Sequence, residues 1–294
     1  MRRRFFPRWV GIPLLVCALA LLLVVGRGTS DPAPAEWPDP ALAPIEYRPG
    51  GYFPPGFPLH GQVRLLSPPV VEAGARARIR VEYTVGDIPI EPGMSVEVWK
   101  HFTSDVEEFQ VDDPQRPAFF GVEFSAPGVE VETRKFTNWV QRNDPSVFPY
   151  RKTAAVTIRQ GKLAEGDKIY FDLGGPHGVR MQHYEENLFN FRFVITRDNK
   201  VIGYAGDAAL RVTGGALRQL RVQAPSVVAI GERFPVEVVP VDEWGSLAKN
   251  HEGLRLRITS GDVAGGSFQY EAPLKHYVAR DVMASRPGVV RIRV

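Results

Sequence analysis

The sequence predicts an all-β protein: two tandem antiparallel β-sandwich modules behind one N-terminal hydrophobic helix. Three observations carry this. Apolar and polar residues alternate strictly in many short runs, as half-buried strands require. Gly/Pro turn clusters separate these runs, and no amphipathic helix pattern occurs after Gly26.

The N-terminus comes first. Trp9 to Gly26 is 18 residues without a charge, preceded by Arg2, Arg3 and Arg4. That arrangement keeps the N-terminus in the cytoplasm and exports the rest of the chain. A helix needs about 20 residues to cross the hydrocarbon core, so residues 9–26 are at the short end of a span. Two readings of residues 1–30 stay open. They form a retained signal anchor, which the near-spanning length favours, or a cleaved signal peptide, for which Gly28-Thr29-Ser30 and Ala33-Pro34-Ala35 are weak cleavage sites. The expected location is the bacterial cell envelope, with the C-terminal part outside the cytoplasm. The one predicted membrane contact is through residues 9–26.

The same segment explains the charge. The net +3 includes five arginines among residues 1–30 and no acidic residue there. Taking those five from 36 basic residues leaves 31 against 33 acidic ones, so the exported part is mildly acidic. A basic footprint for nucleic acid is missing, and no nucleic-acid partner is expected. Cys17, the single cysteine, lies inside the apolar run. The exported part therefore has neither a disulfide nor a cysteine nucleophile or zinc ligand, and must hold together by packing.

Residues 31–58 contain nine prolines, a composition that favours extended polyproline II and excludes helix and central strand. Such a linker reaches up to roughly 90 Å. Residues 59–214 read as the first sandwich. Ile79-Arg80-Val81-Glu82-Tyr83-Thr84-Val85 alternates strictly, and Phe189, Phe191, Phe193 and Ile195 place a bulky row on one face. Lys168 and Tyr170 alternate with Ile169 and Phe171, and Glu91-Pro92-Gly93 and Glu165-Gly166-Asp167 are turns. Residues 215–294 match an immunoglobulin-like module in size and rhythm. Within them Leu254, Leu256 and Ile258 alternate with Arg255, Arg257 and Thr259, and Pro287–Val294 reads as a closing strand. The second sheet is expected to be incomplete, with the edge at Arg291–Val294 open to a partner strand or a missing domain.

Several phrases resemble a known family. Gly161-Lys162-Leu163, Glu165-Gly166-Asp167-Lys168-Ile169, Leu173-Gly174-Gly175 and Gly178-Val179-Arg180-Met181-Gln182 are similar to the first module of a large uncharacterised bacterial family. Ala224-Pro225-Ser226, Gly231-Glu232-Arg233-Phe234, Val241-Asp242-Glu243-Trp244-Gly245 and the closing Pro287–Val294 are similar to its linker sandwich. In that family such sandwiches precede a PHP-like predicted metal-dependent phosphoesterase domain. The resemblance spans about residues 60 to 294 and implies no catalytic residue here, because the metal motif opening that domain is not in this sequence.

No G-x-S-x-G, P-loop or dinucleotide fingerprint occurs, so no enzyme activity and no cofactor are expected. The densest polar cluster is Asp172, His177, Arg180, Gln182, His183, Glu185 and Glu186, in a Gly-rich loop between strands. His177, His183 and Glu185 are the candidate ligands of a divalent metal, and Arg180 is the candidate anion contact. The competing reading is that Gly174, Gly175, Pro176 and Gly178 only turn the chain. His60 lacks a second histidine two residues on and reads as a surface residue. Trp99 and Trp139 are candidates for a glycan platform, against a packing role on strands. The sequence therefore favours a non-catalytic, membrane-tethered spacer or binding module. The alternative is the N-terminal accessory part of a PHP-like phosphoesterase.

Overall fold

The structure, a computed structural model, describes residues 58–143, 148–259 and 261–294. The apolar segment 9–26 and nearly all of the Pro-rich stretch fall outside the described residues, within which no helix is long and apolar enough to cross a membrane.

The described chain is nearly all β. It runs β1 (Gly61–Leu65), β2 (Val70–Glu72), β3 (Arg76–Ala77), β4 (Ile79–Val85), β5 (Met94–His101), β6 (Phe119–Phe124) and β7 (Glu130–Lys135). A single turn of helix, α1 (Trp139–Arg142), comes next, capped where the Asn138 side chain accepts the Gln141 N–H at 2.7 Å. Then come β8 (Tyr150–Gln160), β9 (Lys168–Gly174), β10 (Val179–Arg180), β11 (Glu186–Arg197) and β12 (Lys200–Thr213).

These strands make a four-stranded sheet in the order β1-β4-β9-β6 and a six-stranded sheet in the order β2-β12-β11-β5-β8-β7. Alternate residues of both converge on one core. From the four-stranded sheet come Ile79, Val81 and Tyr83 with Phe120, Ile169 and Phe171; from the six-stranded sheet come Met94, Val96 and Val98 with Phe189, Phe191 and Phe193. Phe171 bridges the two sets, 4.9 Å from Phe193, and stands 6.0 Å from Phe120 of its own sheet. The β11–β12 hairpin closes through Asp198 and Asn199, both at positive φ, a two-residue turn whose twist matches that of paired strands.

The outward face of the six-stranded sheet is unusual because its charges are buried. Arg192 on β11 makes two bonds, at 2.9 and 3.1 Å, to Asp207 on β12. Its guanidinium also lies 4.0 Å over the Tyr150 ring of β8. Glu97 on β5 is fully buried and accepts from Trp99 Nε1 at 2.8 Å and Thr196 Oγ1 at 3.1 Å. Arg134 on β7 and Lys152 on β8 approach the same carboxylate at 3.6 and 3.7 Å. Trp99, Tyr150 and Val194, with Tyr204 against them, form the small apolar cluster around this layer.

A separate five-stranded sheet completes the chain, made of β13 (Gln219–Gln223), β14 (Arg233–Val241), β15 (Val263–Ala264), β16 (Gln269–Glu271) and β17 (His276–Ala284). Its core holds Phe234, Val236, Ala279, Val282 and Ala284. Two expected strands are corrected by the structure. Residues 254–259 and 289–294 alternate half-buried and exposed side chains as expected, Pro287 to Val289 being exposed throughout, but neither 254–259 nor Pro287–Val294 belongs to a ladder. Ile258, Val290 and Ile292 still pack on the core, and the two stretches meet through Thr259 N–H donating to Arg293 O at 2.8 Å. Burial alone keeps the period of two. The 254 end is fixed by a side chain, since the Tyr277 hydroxyl accepts the Leu254 N–H and donates to His251 O.

Candidate functional site

The loop singled out in the sequence is a structural joint. His177 ends a 3-10 turn, Gly175–His177, with its side chain exposed. His183 is half-buried, its Nδ1 2.6 Å from Asp105 Oδ2, while its N–H donates to Asp105 Oδ1 at 3.1 Å. Its ring lies 3.9 Å from that of Trp244, which also covers the space beside Gly74. Glu185 is exposed, and its N–H donates to Ser246 Oγ. His177, His183 and Glu185 are therefore not gathered, and among the described residues no group of three or more His, Cys, Asp or Glu could hold a metal. His183 Nδ1 is held by Asp105 and its ring lies against Trp244, which leaves Nε2 buried without a partner, while the Glu185 backbone is tied to Ser246; these partners come from distant parts of the chain.

Arg180 on β10 is exposed, and its N–H donates to Glu107 Oε2 at 3.0 Å. Burial pushes the Glu107 carboxyl up, but two bonds from Arg76 and the Arg180 N–H outweigh it and leave it below its ordinary value. Arg180 thus helps hold a carboxylate of this protein. His60 is a half-buried surface residue with Nδ1 2.8 Å from Asp87 Oδ1. Trp99 is buried in the sheet and Trp139 is exposed on α1, so they do not share a platform.

The structure instead offers a cleft of about 410 Å³ on the outward face of the four-stranded sheet. That size lies within the roughly 300–1,000 Å³ usual for small-ligand sites. Its floor is set by strand alternation. With Phe120, Val122, Ile169 and Phe171 turned inward, β6 presents Phe119, Gly121 and Glu123 outward and β9 presents Tyr170 and Asp172. The register aligns Gly121 with Asp172 and Asp172 with Arg80, and sets Glu123 beside Tyr170. Gly121 is the hollow. A Cβ there would stand 3.3 Å from the Phe119 ring and 3.5 Å from Asp172 Cβ, so any side chain at 121 fills the cleft. A glycine inside a strand often marks close approach by another group.

The charges around this hollow are partly committed. Arg80 donates to Glu123 at 2.8 Å and lies 5.8 Å over the Tyr170 ring. Arg78 donates to Asp172 Oδ2 at 3.0 Å, whereas Asp172 Oδ1 is buried with no partner. A buried oxygen left unpaired is costly, and a donor from a ligand removes that cost. Pro114 and Gln115 on one side and Gly175 and Pro176 on another form the walls. The site is thus a sheet-face cleft with two rings, a free acceptor and flanking carboxylates. No protein-family model matches this chain, and no curated protein matches it either.

Proposed function

We propose that this chain is a non-catalytic binding module of the bacterial cell envelope, exported and tethered through residues 9–26, whose cleft takes a carbohydrate. In this reading residues 59–214 and 215–294 are tandem β-sandwiches, the second immunoglobulin-like, carried on a Pro-rich spacer. One observation carries the binding assignment: Gly121 leaves a hollow between Phe119 and Tyr170 above the unpartnered Asp172 Oδ1. The apolar C–H faces of a pyranose suit the rings, and its hydroxyls suit Asp172, Glu123 and Arg80, which offer acceptors and donors together. The export assignment rests on Arg2, Arg3 and Arg4 ahead of the uncharged run.

The test is calorimetric titration with neutral and amino-sugar oligosaccharides. Gly121→Val, which fills the hollow, and Asp172→Ala, which removes the acceptor, should each abolish binding with little change in melting temperature. Titration heats indistinguishable from buffer for every sugar, or binding untouched by both variants, would sink the assignment. The second reading, an accessory part of a PHP-like phosphoesterase, is supported by the order of the turn phrases from Gly161 to Gln182 and from Ala224 to Gly245. Sequencing the gene beyond the codon for Val294 tests it, and a reading frame without a His-rich metal motif would remove it.

A further inference from the structure

A second small space lies where β5, β8 and α1 meet the segment 104–109. On β5, Met94, Val96, Val98 and Lys100 occupy alternate positions, and the first three are core residues. The fourth is a lysine as buried as they are, with 1% of its surface exposed. Its direct partner across the β5–β8 ladder is Arg151. Like charges set opposite one another on paired strands destabilise the pair, and here Lys100 is also removed from water while Arg151 is half-buried.

The protein supplies little to offset this. Lys100 Nζ donates to the carbonyl of Val106, and Arg151 donates to the carbonyl of Ser104 at 2.8 Å. Both acceptors are neutral. Of the nearby carboxylates, Glu108 pairs with Arg142, Asp105 with His183 and Glu97 with Lys152. The Nε of Arg151, the Nε of Arg142 and Nδ2 of Asn143 are all buried without a partner. Lys100, Arg142, Arg151 and Lys152 line one small space with Phe109, Phe136 and a single carboxylate, Glu108, so its lining is net positive. The room is about 10 Å³, the scale of a single water or a single ion.

We infer that this space is a site for one monatomic anion, a halide such as chloride, held by Lys100, Arg151 and Arg142. An anion there supplies the missing acceptor to several buried N–H donors at once and cancels the Lys100–Arg151 repulsion. Larger oxyanions are excluded by the room available. Without the anion, burial and then Arg151 pull the Lys100 ammonium down to about 7, with Glu108 and Asp105 opposing and Arg142 reinforcing the shift. Arg151 is also held below its ordinary value by burial and by Arg142.

The experiment uses the full chain in non-ionic detergent. Its melting temperature is monitored as sodium chloride replaces sodium gluconate at constant ionic strength, and crystals are soaked in bromide. A ligand that binds only the folded state raises the melting temperature saturably. The expected result is such a rise with chloride, its half-saturation moved at least tenfold in Arg151→Gln and lost in Lys100→Met. An anomalous bromide peak between Lys100 and Arg151 should accompany it. Equal melting temperatures in chloride and gluconate, or a saturable rise unchanged in both variants, would overturn the assignment. Density without anomalous signal would mean a water occupies the space and would overturn it too. Should Lys100→Met fail to fold, Arg151→Gln and the bromide map still decide.

Discussion

Phe171 is the side chain on which the cleft and the core both depend. It is fully buried, joins the Phe120 ring of its own sheet to Phe193 of the opposite sheet, and lies between Tyr170 and Asp172. Phe171→Ala removes a ring that buries about 150–250 Å². At ~25 cal/mol per Å² the lost burial is roughly 4–6 kcal/mol. Measured Phe→Ala losses in cores are about 3–5 kcal/mol, so about 4 kcal/mol is expected. A domain is stable by only about 5–15 kcal/mol, which makes the loss large enough to risk unfolding at 37 °C. Phe171→Leu, expected to lose about 1–2 kcal/mol, keeps the measurement possible if the alanine variant fails.

Urea titration monitored by the fluorescence of buried Trp99 reports this core. The midpoint should fall with the slope unchanged, because the exposed surface on unfolding is nearly the same. Signals from the sheet containing β14 and β17, read by hydrogen exchange, should stay at their wild-type protection. Sugar affinity should weaken in Phe171→Leu by displacement of Asp172 and Tyr170. A loss below about 1 kcal/mol in the alanine variant would refute the claim that these rings weld the two sheets, since cavity formation at a rigid site cannot be that mild.

Other outcomes rest on the same kinds of contact. Arg192→Met removes the guanidinium that neutralises the buried Asp207 and should lose about 3–5 kcal/mol, whereas Arg192→Met with Asp207→Leu should recover most of it, by chemical denaturation. Burial already pushes the Asp207 carboxyl up against the pull of Arg192. An acid raised on folding takes up its proton more readily in the folded state, so the single variant's deficit should shrink as pH falls toward about 4. Glu107 behaves oppositely: its folded value is depressed, so its contribution is present above the ordinary carboxylate range and is lost as pH falls through the folded value. Glu107→Gln should flatten that acid limb in a pH series of melting curves. Amides of residues 254–258 and 289–294, outside any ladder, should exchange much faster than those of β14 and β17.

The strands were legible where burial and hydrogen bonding coincide. Ile79–Val85 and the Phe189–Ile195 row became β4 and β11 because one face of each meets the core. The same alternation at 254–259 and 290–294 reports burial alone, and a sequence pattern cannot distinguish the two. The His183 loop was misleading for a related reason. Its partners Asp105 and Trp244 are remote in sequence, so the local cluster gives no sign of what holds His183. Asp172 belonged to that cluster and does face the cleft, but its neighbours there, Gly121 and Arg80, are set by strand register. The one local hint was the glycine in Phe119-Phe120-Gly121-Val122-Glu123-Phe124, an interruption in an otherwise alternating strand. Lys100 and Arg151 gave no hint, since only pairing across β5 and β8 brings them together.

The buried charges on the six-stranded sheet bear on how the chain reaches this fold. Arg134, Lys152, Glu97, Arg192 and Asp207 sit on five successive strands, and their ion pairs run between strands: Lys152–Glu97 and Arg192–Asp207 across neighbours, Arg134–Glu97 across β8. Sliding one strand by two residues keeps its apolar side chains facing inward, so the core alone tolerates that mistake. The charges do not tolerate it, because a slipped strand strands an ion in the dry layer. This layer therefore proofreads assembly, raising the energy of misaligned sheets that hydrophobic packing would accept.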